Sequence, residues 1–361
     1  MSELRPKDVR HPDPERQPEM PDLLHNYVRI GEKVFPTFPP MYVELPRRVV
    51  DETIRVVETV SKKAGLLNTP EFMRVDLAPT KNGDMRLIEI NAQIPGGVMF
   101  NAIAHAAYGE MQTFDTIGQN MEDMTTPTWV MSNENTGVQR VGEAEARIAS
   151  DHMWGGKFTQ VPADLENIKT AVDAGIDMNK ALRFTLDAEL QKLNDSHHLI
   201  REALADVVNK QGTVRAGDKS QLTDIESPIL PKGQKKVIVP GETFVVPEGW
   251  VCKASVGLAG DDVYFPGQQV PVPDKEKNPG GVVYALQEFI DIATFDFKGV
   301  TYKYGLDMYL MKDKHSGKYN IFFMSRTCRD LPGEKLNISQ SGGLIPAVVT
   351  IVPDRTPDKK G

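Results

Sequence analysis

The chain has 361 residues, of which 40% are hydrophobic, 25% charged and 7% aromatic. These proportions, with a mean hydropathy of −0.35, are typical of a soluble globular protein with two or three lobes. A formal net charge of −8 and an isoelectric point of about 5.5 exclude a global field that would attract nucleic acid, and the lack of any apolar run near 18 residues predicts no membrane span.

Residues 1–40 are polar and rich in proline, arginine and acidic residues, which predicts an arm or surface loop and no signal peptide. The cysteines, Cys252 and Cys328, lie far apart and lack the spacing of a zinc site or a disulfide framework. This cysteine usage suits a reducing compartment and predicts a cytoplasmic location.

An amphipathic helix is predicted between Leu45 and Leu67. Apolar residues recur there at helical spacing, as at Val49 and Val57, and Gly65 is placed to end the helix. The segment that follows changes from helical spacing to the alternation of strands.

A β-hairpin is predicted for residues 71–92, which read EFMRVDLAPTKNGDMRLIEINA. Asn82-Gly83 is a strong signal for a two-residue turn with positive φ at both positions. With that turn, Asp76 lies directly opposite Glu89, and Asn91 shares their face. The other face is predicted to join the core and collects Met73, Val75, Leu77, Ile88 and Ile90.

The two facing acids predict a cation site. Like charges directly opposite each other destabilise a sheet, so a bound ion would offset their repulsion. Mg²⁺ takes carboxylate and amide oxygens, and Asp76, Glu89 and Asn91 supply both kinds. The alternative is a pair of solvated acids on an exposed sheet face.

Residues 127–209 are predicted to form a small α/β lobe. Strands are expected at 128–131 and 158–161, and helices at 143–148, 163–174 and 195–208. At most three strands are available, so the lobe is expected to be a small βαβ unit. The sequence contains neither a G-x-G-x-x-G after a strand nor a P-loop, so these two kinds of nucleotide site are not expected.

From about residue 233 short strands are predicted, at 236–239, 243–246, 250–254 and 282–290. A glycine-containing run, Ser255 to Gly260, follows the third of them directly. A second hairpin is predicted from Gly305 to Arg329 with Ser316-Gly317 as its turn, which places Asp307 opposite Arg326. Opposite charges stabilise a strand pair, and the pattern leaves open whether this ion pair is structural or functional.

Taken together, these segments resemble the ATP-grasp family, whose members are ATP-dependent ligases that form acyl phosphates. The acidic hairpin and the following Pro95-Gly96-Gly97 resemble the family's metal-binding end. Residues 250–260 resemble the strand whose lysine meets ATP phosphates with its glycine lid, residues 286–290 the hinge strand, and residues 307–343 the segment that places the substrate. The match is carried by residues 41–100 and 200–361.

The resemblance implies ATP and Mg²⁺ as cofactors and a role for each matching residue. The implied metal ligands are Asp76, Glu89 and Asn91. The residues implied to bind ATP are Lys253, Ser255, Gly257, Gly260, Gln287 and Phe289, the last two at adenine. The implied catalytic residues, which place the substrate and the γ-phosphate, are Asp307, Arg326 and Asn337.

The implied fold combines α+β and α/β parts, with two α+β lobes that clasp ATP and a small α/β lobe. The Glu-x-Asn hairpin comes before the lid instead of last, so the chain resembles a circularly permuted member. The implied domains are a polar arm (1–40), the metal-binding part of the C-terminal lobe (41–126), the small α/β lobe (127–209), the lid lobe (210–290) and the remainder of the C-terminal lobe (291–361).

The branch that the sequence resembles comprises peptide-type carboxylate–amine ligases. The implied enzyme is an ADP-forming carbon–nitrogen ligase that joins a small-molecule or peptide carboxylate to an amine. Tyr309 departs from that branch, which would place an arginine there. A non-catalytic ATP-binding protein, a phosphotransferase on the same fold and a cation-binding structural protein remain alternatives, and the sequence leaves open the substrates, the oligomeric state and the roles of 1–40 and 98–200.

Overall fold

The structure is a computed structural model that describes residues 9–10, 41–64, 72–91, 128–131, 159–162, 165–175, 181–183, 217–255, 263–297, 299–312, 316–334, 336 and 343–354. Over these residues the fold is mixed α/β and consists mostly of strands. No helix within these ranges has the length and apolarity to cross a membrane.

The described helices are α1 (Arg47–Lys63), α2 (Leu165–Asp173) and the 3-10 helix Lys219–Asp224. In chain order the strands are β1 (Val9–Arg10), β2 (Met41–Pro46), β3 (Phe72–Pro79), β4 (Met85–Asn91), β5 (Thr128–Met131), β6 (Thr159–Pro162), β7 (Ala181–Arg183), β8 (Gly233–Ile238), β9 (Phe244–Val245), β10 (Trp250–Ala254), β11 (Val263–Tyr264), β12 (Gln269–Val270), β13 (Val282–Glu288), β14 (Thr294–Phe297), β15 (Val300–Lys312), β16 (Tyr319–Arg329) and β17 (Gly343–Val352).

Both predicted hairpins belong to one eight-stranded sheet, here called the large sheet. Its order is β1-β2-β17-β16-β15-β3-β4, with β14 also paired to β15. A four-stranded antiparallel sheet of order β11-β10-β13-β8 is called the lid sheet. β9 and β12 form a two-stranded sheet, and β6-β5-β7 form a small parallel sheet.

The predicted amphipathic helix is confirmed as α1. Its apolar stripe, which includes Val49, Val56, Val57 and Val60, is buried in the same core cluster as the inward residues of β3, β4 and β15. The helix begins directly after Pro46, and two lysines occupy its last turn, where a positive charge is favourable. Packing of this stripe therefore fixes one face of the large sheet as the core face.

The first hairpin pairs Asp76 with Glu89 as predicted, but its turn and strands differ from the prediction. The turn has three residues, because the Gly83 N–H donates to Thr80 O at 2.9 Å and the Thr80 N–H donates to Asp84 O at 2.8 Å. Gly83 has a φ of 87°, as the third position of such a turn requires. A β-bulge between Asp76 and the next pair then restores the predicted register.

The bulge changes which side chains enter the core. Leu87 pairs with Leu77 and is fully buried, whereas Ile88 is the extra residue of β4 and only partly buried. The prediction that Ile88 lies on the core face is therefore wrong. A one-residue shift moves a side chain to the opposite face, and the bulge makes that shift between Glu89 and Leu87.

This arrangement predicts unequal effects for two neighbouring truncations. Leu87→Ala should lower the free energy of unfolding by about 2–5 kcal/mol, since it leaves a cavity in the core. Ile88→Ala should cost less than half as much, because Ile88 is only partly buried. Urea denaturation of both variants measures the difference, and equal losses would contradict the bulge.

The second hairpin is confirmed, but its predicted register is wrong. Asp307 pairs with Met324, and Arg326 pairs with Gly305, so the strands are shifted by two residues relative to a Ser316-Gly317 turn. A shift of two residues keeps every side chain on its predicted face. Arg326 consequently reaches Asp307 along the diagonal instead of directly across.

The small parallel sheet contains strands at the two predicted places, together with β7, which was not predicted. Helix α2 lies within the predicted helix 163–174. The helices predicted at 143–148 and 195–208 fall outside the described residues. Within residues 1–40, only Val9–Arg10 is described, and it pairs with β2.

Candidate functional site

Four charged side chains meet on the face of the large sheet opposite the core; we call them the charge cluster. Alternation along β3 puts Arg74 and Asp76 on this face, because the fully buried Val75 lies between them. Asp307 lies directly opposite Asp76 on β15, and Arg326 comes from β16. Three neighbouring strands thus supply two acids and two arginines.

Arg326 connects the two hairpins. Its Nη2 donates to Asp76 Oδ2 at 2.6 Å and to Asp307 Oδ1 at 2.8 Å, and its Nε lies 2.6 Å from Asp307 Oδ2. Its Nη1 donates to the Leu336 carbonyl at 3.0 Å. Arg74 Nε donates to Asp76 Oδ1 at 2.6 Å, so Asp76 is held by one arginine from each side. Asp307 is 1% exposed and Asp76 is 4% exposed, so little water competes with these contacts.

The cluster separates the pKa values of its two acids. Burial by itself would raise the pKa of Asp76, but Arg326 and Arg74 outweigh burial and hold that pKa well below its usual value. Burial raises the pKa of Asp307, against the opposing effect of Arg326, and the facing Asp76 adds to the rise. Asp76 is therefore the acid that stays ionised most readily.

The three predicted metal ligands lie together beside the cluster. Asn91 Nδ2 is 3.3 Å from Asp76 Oδ1 and 3.5 Å from Glu89 Oε1. Among the described residues no three acidic, histidine or cysteine side chains come together, and Asn91 supplies the amide oxygen beside the two carboxylates. Both Asp76 oxygens accept from arginines, but a carboxylate oxygen has more than one lone pair, so this set of oxygens is of the kind that Mg²⁺ takes.

Lys253 and Gln287 face the cleft from the lid sheet. Lys253 Nζ donates to Gln287 Oε1 at 2.7 Å, and both side chains are buried. Burial lowers the pKa of Lys253 to about 8, and Glu89 and Asp76 oppose that shift while Lys219 adds to it. Lys253 and the acidic hairpin therefore interact electrostatically, although the two belong to different sheets.

The cleft between the lid sheet and the large sheet contains a pocket that is lined by both polar and apolar side chains. Lys219, Lys253 and Gln287 line a shallow pocket together with Ile88, and the remaining lining residues are Leu222, Thr223, Leu230, Pro231, Gly233 and Ala285. The bulge of β4 turns Ile88 toward this pocket. Two lysines beside this pocket suit an anionic group.

Sequence reasoning missed two charged residues of this site. Arg74 could have been found, because it lies two residues before Asp76 on the same strand and so shares its face. Lys219 had no sequence signal. The 3-10 helix, whose N-terminus is capped by Asp218, brings Lys219 Nζ to 3.8 Å from Glu89 Oε2, and the Lys219 N–H donates to Ser255 O at 2.9 Å.

Of the remaining predicted site residues, some lie in the described part of the chain and others do not. Ser255 directly follows β10 and its carbonyl accepts a hydrogen bond from the Lys219 N–H, while Gly257, Gly260 and Asn337 lie outside the described residues. Phe289 is 43% exposed, and its N–H donates to Gly249 O at 2.8 Å.

Tyr309 occupies the position where the resembled branch would have an arginine. It is fully buried and stacks on Phe322 with ring centroids 4.9 Å apart. Directly opposite it on β3 lies Arg74. A neighbouring strand thus supplies a guanidinium next to the position where the expected one is missing.

No family model and no curated protein matches the chain. Among solved structures, a glutathione synthetase-like effector from Globodera pallida is similar at 10% identity and a TM-score of 0.38, covering 85% of this chain and 89% of that one. A candidate gamma-glutamylcysteine synthetase from Methylobacillus flagellatus KT is similar at 12% identity and a TM-score of 0.37, covering 82% of this chain and 85% of that one.

Proposed function

We propose that the protein is an ADP-forming carboxylate–amine ligase of the ATP-grasp type. One observation carries the proposal: Lys253 of the lid sheet and Lys219 line the same pocket, and Lys219 Nζ lies 3.8 Å from Glu89 Oε2 of the Asp76–Glu89 pair. A lysine and paired acids on opposite walls suit an anion and its counter-cation. Phosphoryl transfer needs this combination of positioning and charge neutralisation.

Asp76, Glu89 and Asn91 would hold Mg²⁺, which would supply charge neutralisation at the phosphate chain. Lys253 and Lys219 bind phosphate oxygens from the lid side. Lys253 is 8% exposed, and low exposure to water strengthens its interaction with an anion.

The charge cluster orients the reacting carboxylate. A substrate carboxylate oxygen attacks the γ-phosphorus, the bond to the ADP oxygen breaks, and an acyl phosphate forms. An amine nitrogen then attacks the acyl carbon, inorganic phosphate leaves, and the amine proton passes to solvent. Arg74 steadies the anionic groups in both steps, while Arg326, engaged on three sides, keeps Asp76 in place.

The ends of the described chain support a circular permutation as part of this proposal. β17 and β2 are parallel neighbours, and the Arg48 N–H donates to Asp354 Oδ1 at 3.2 Å. Val9 pairs with Val43 on the same strand β2. Val9 and Asp354 therefore both contact residues between Val43 and Arg48, which supports a chain in which the two ends are joined in the usual family order.

The activity is tested by measuring phosphate release from ATP over a panel of carboxylates, with and without amines, and by trapping an acyl phosphate with hydroxylamine. Carboxylate-dependent ADP formation with a trapped hydroxamate is expected. Transfer of phosphate to a hydroxyl without a hydroxamate would indicate a phosphotransferase, and nucleotide binding without turnover would indicate a non-catalytic protein.

Lys253→Ala should weaken MgATP binding by about 10- to 100-fold, since hydrogen bonds to charged groups contribute roughly 1.5–3 kcal/mol. Because the pKa of Lys253 is lowered to about 8, its charge is present below that pH and lost above it. Wild-type affinity should therefore fall as the pH rises through about 8, and the fall should vanish in the variant. Calorimetry measures both.

The matched control is Lys236→Ala, which removes a lysine of the same sheet that pairs with Glu242 at 2.6 Å on the opposite face. Its MgATP affinity should equal that of the wild type. Unchanged affinity in Lys253→Ala would move the nucleotide site elsewhere.

A further inference from the structure

We propose that Gln287 is a positioning residue, whose amide oxygen holds the Lys253 ammonium in the cleft and leaves its positive charge available to a phosphate chain. The inference rests on the nucleotide role proposed above for Lys253. It replaces the expectation that Gln287 reads the adenine base.

Strand register places the two residues side by side. Lys253 lies directly opposite Ala285, and Val251 lies opposite Gln287, so Gln287 is the diagonal neighbour of Lys253 on the same sheet face. The Nζ–Oε1 distance is 2.7 Å, and each residue is 8% exposed. Little water is available to replace this hydrogen bond, so its loss would leave a buried ammonium short of an acceptor.

The other charged groups around Lys253 come from three elements. Asp76 and Glu89 face it from the acidic hairpin, and Lys219 faces it from the 3-10 helix. Lys235 lies on the same sheet face of β8 and is paired with Asp224. Within the described residues none of these carboxylates is in ion-pair contact with Lys253, so its described hydrogen-bond acceptor is the neutral amide of Gln287.

A neutral acceptor has a specific consequence for an anionic ligand. The amide oxygen satisfies one of the three ammonium protons, and two remain for phosphate oxygens. A carboxylate at the same place would form a buried ion pair and cancel the charge that the ligand needs. An apolar side chain would leave the ammonium without an acceptor and favour its neutral form.

The test compares Gln287→Glu and Gln287→Leu with the wild type in calorimetric titrations of MgATP, magnesium tripolyphosphate and adenosine. Tripolyphosphate has no base, and adenosine has no phosphate. Both variants should bind tripolyphosphate and ATP about tenfold more weakly and adenosine as the wild type does. In Gln287→Leu the loss should grow between pH 7 and pH 9. A loss confined to adenosine and ATP would make Gln287 a base reader and overturn the proposal.

A second readout needs no nucleotide. The pKa of Lys253, followed by NMR of labelled lysine side chains, should rise in Gln287→Glu and fall in Gln287→Leu, and an unchanged pKa in both variants would overturn the proposal. If the wild type bound neither ATP nor tripolyphosphate, the proposed function would fail, while this titration would still decide the role of Gln287. The control is Gln234→Glu, an exposed residue on the opposite face of the lid sheet, which should change none of these values.

Discussion

Arg326→Ala should lower the free energy of unfolding by about 3–5 kcal/mol. The guanidinium bridges Asp76 and Asp307 across three strands, and Asp307 is 1% exposed. Its removal leaves Asp307 buried without its counter-charge, while Asp76 keeps Arg74. Urea denaturation, read from the shift of the midpoint at constant slope, measures the loss.

Two further variants separate the ion pair from general damage to the strand. Arg329→Ala removes an exposed arginine three residues further along β16 and should change stability by no more than about 0.5 kcal/mol. Arg326→Leu combined with Asp307→Leu should be more stable than Arg326→Ala, because no buried charge is left without its partner. A double variant as unstable as the single one would show that burial of an unpaired acid is not the cause.

Glu89→Gln should reduce both divalent-cation affinity and turnover by about 100-fold or more, since loss of even an outer partner of a metal ligand typically costs 10–100-fold. Stability should change by less than about 0.5 kcal/mol, because the substitution removes a repulsion with the facing Asp76 as well as a long contact with Lys219. Mn²⁺ binding by electron paramagnetic resonance measures affinity without any need for turnover.

Glu44→Gln is the matched control for this prediction. Glu44 is an exposed acid on β2 of the same large sheet, so the same chemical change there should alter neither Mn²⁺ binding nor turnover. Full Mn²⁺ affinity in Glu89→Gln would remove the hairpin from the metal site and, with it, the main support for the ligase proposal.

The sequence predicted the pairing of Asp76 with Glu89 through two errors that cancel. A three-residue turn moves the register by one, and the bulge at Ile88 moves it back. Neither feature has a strong local signal in the sequence. Asn-Gly occurs in turns of both lengths, and the bulge depends on the contacts that β4 makes with distant segments. The Leu87 N–H, for instance, donates to Ile229 O at 2.8 Å, a residue far away in sequence.

In the second hairpin the predicted strand faces were right and the predicted register was wrong. Alternation along β15 and β16 was enough to put Asp307 and Arg326 on one face, and a two-residue shift left that result intact. Because its contact with Asp307 is diagonal, Arg326 spans β15 and reaches Asp76 as well. The predicted direct pairing of Asp307 with Arg326 did not suggest this second contact. Arg326 thus holds Asp76, and its predicted role at the substrate stays a prediction.

Local patterns were enough to predict the alternating strands, the amphipathic helix and the acid-bearing face of the first hairpin, because a period of two or 3.6 residues is a local property of the chain. They could not predict that Lys219 lies beside Glu89, that Gln287 accepts a hydrogen bond from Lys253, or that Lys253 interacts with the acidic hairpin. These contacts join segments more than 30 residues apart, and they depend on how the sheets pack and on one bulge, which no local period encodes.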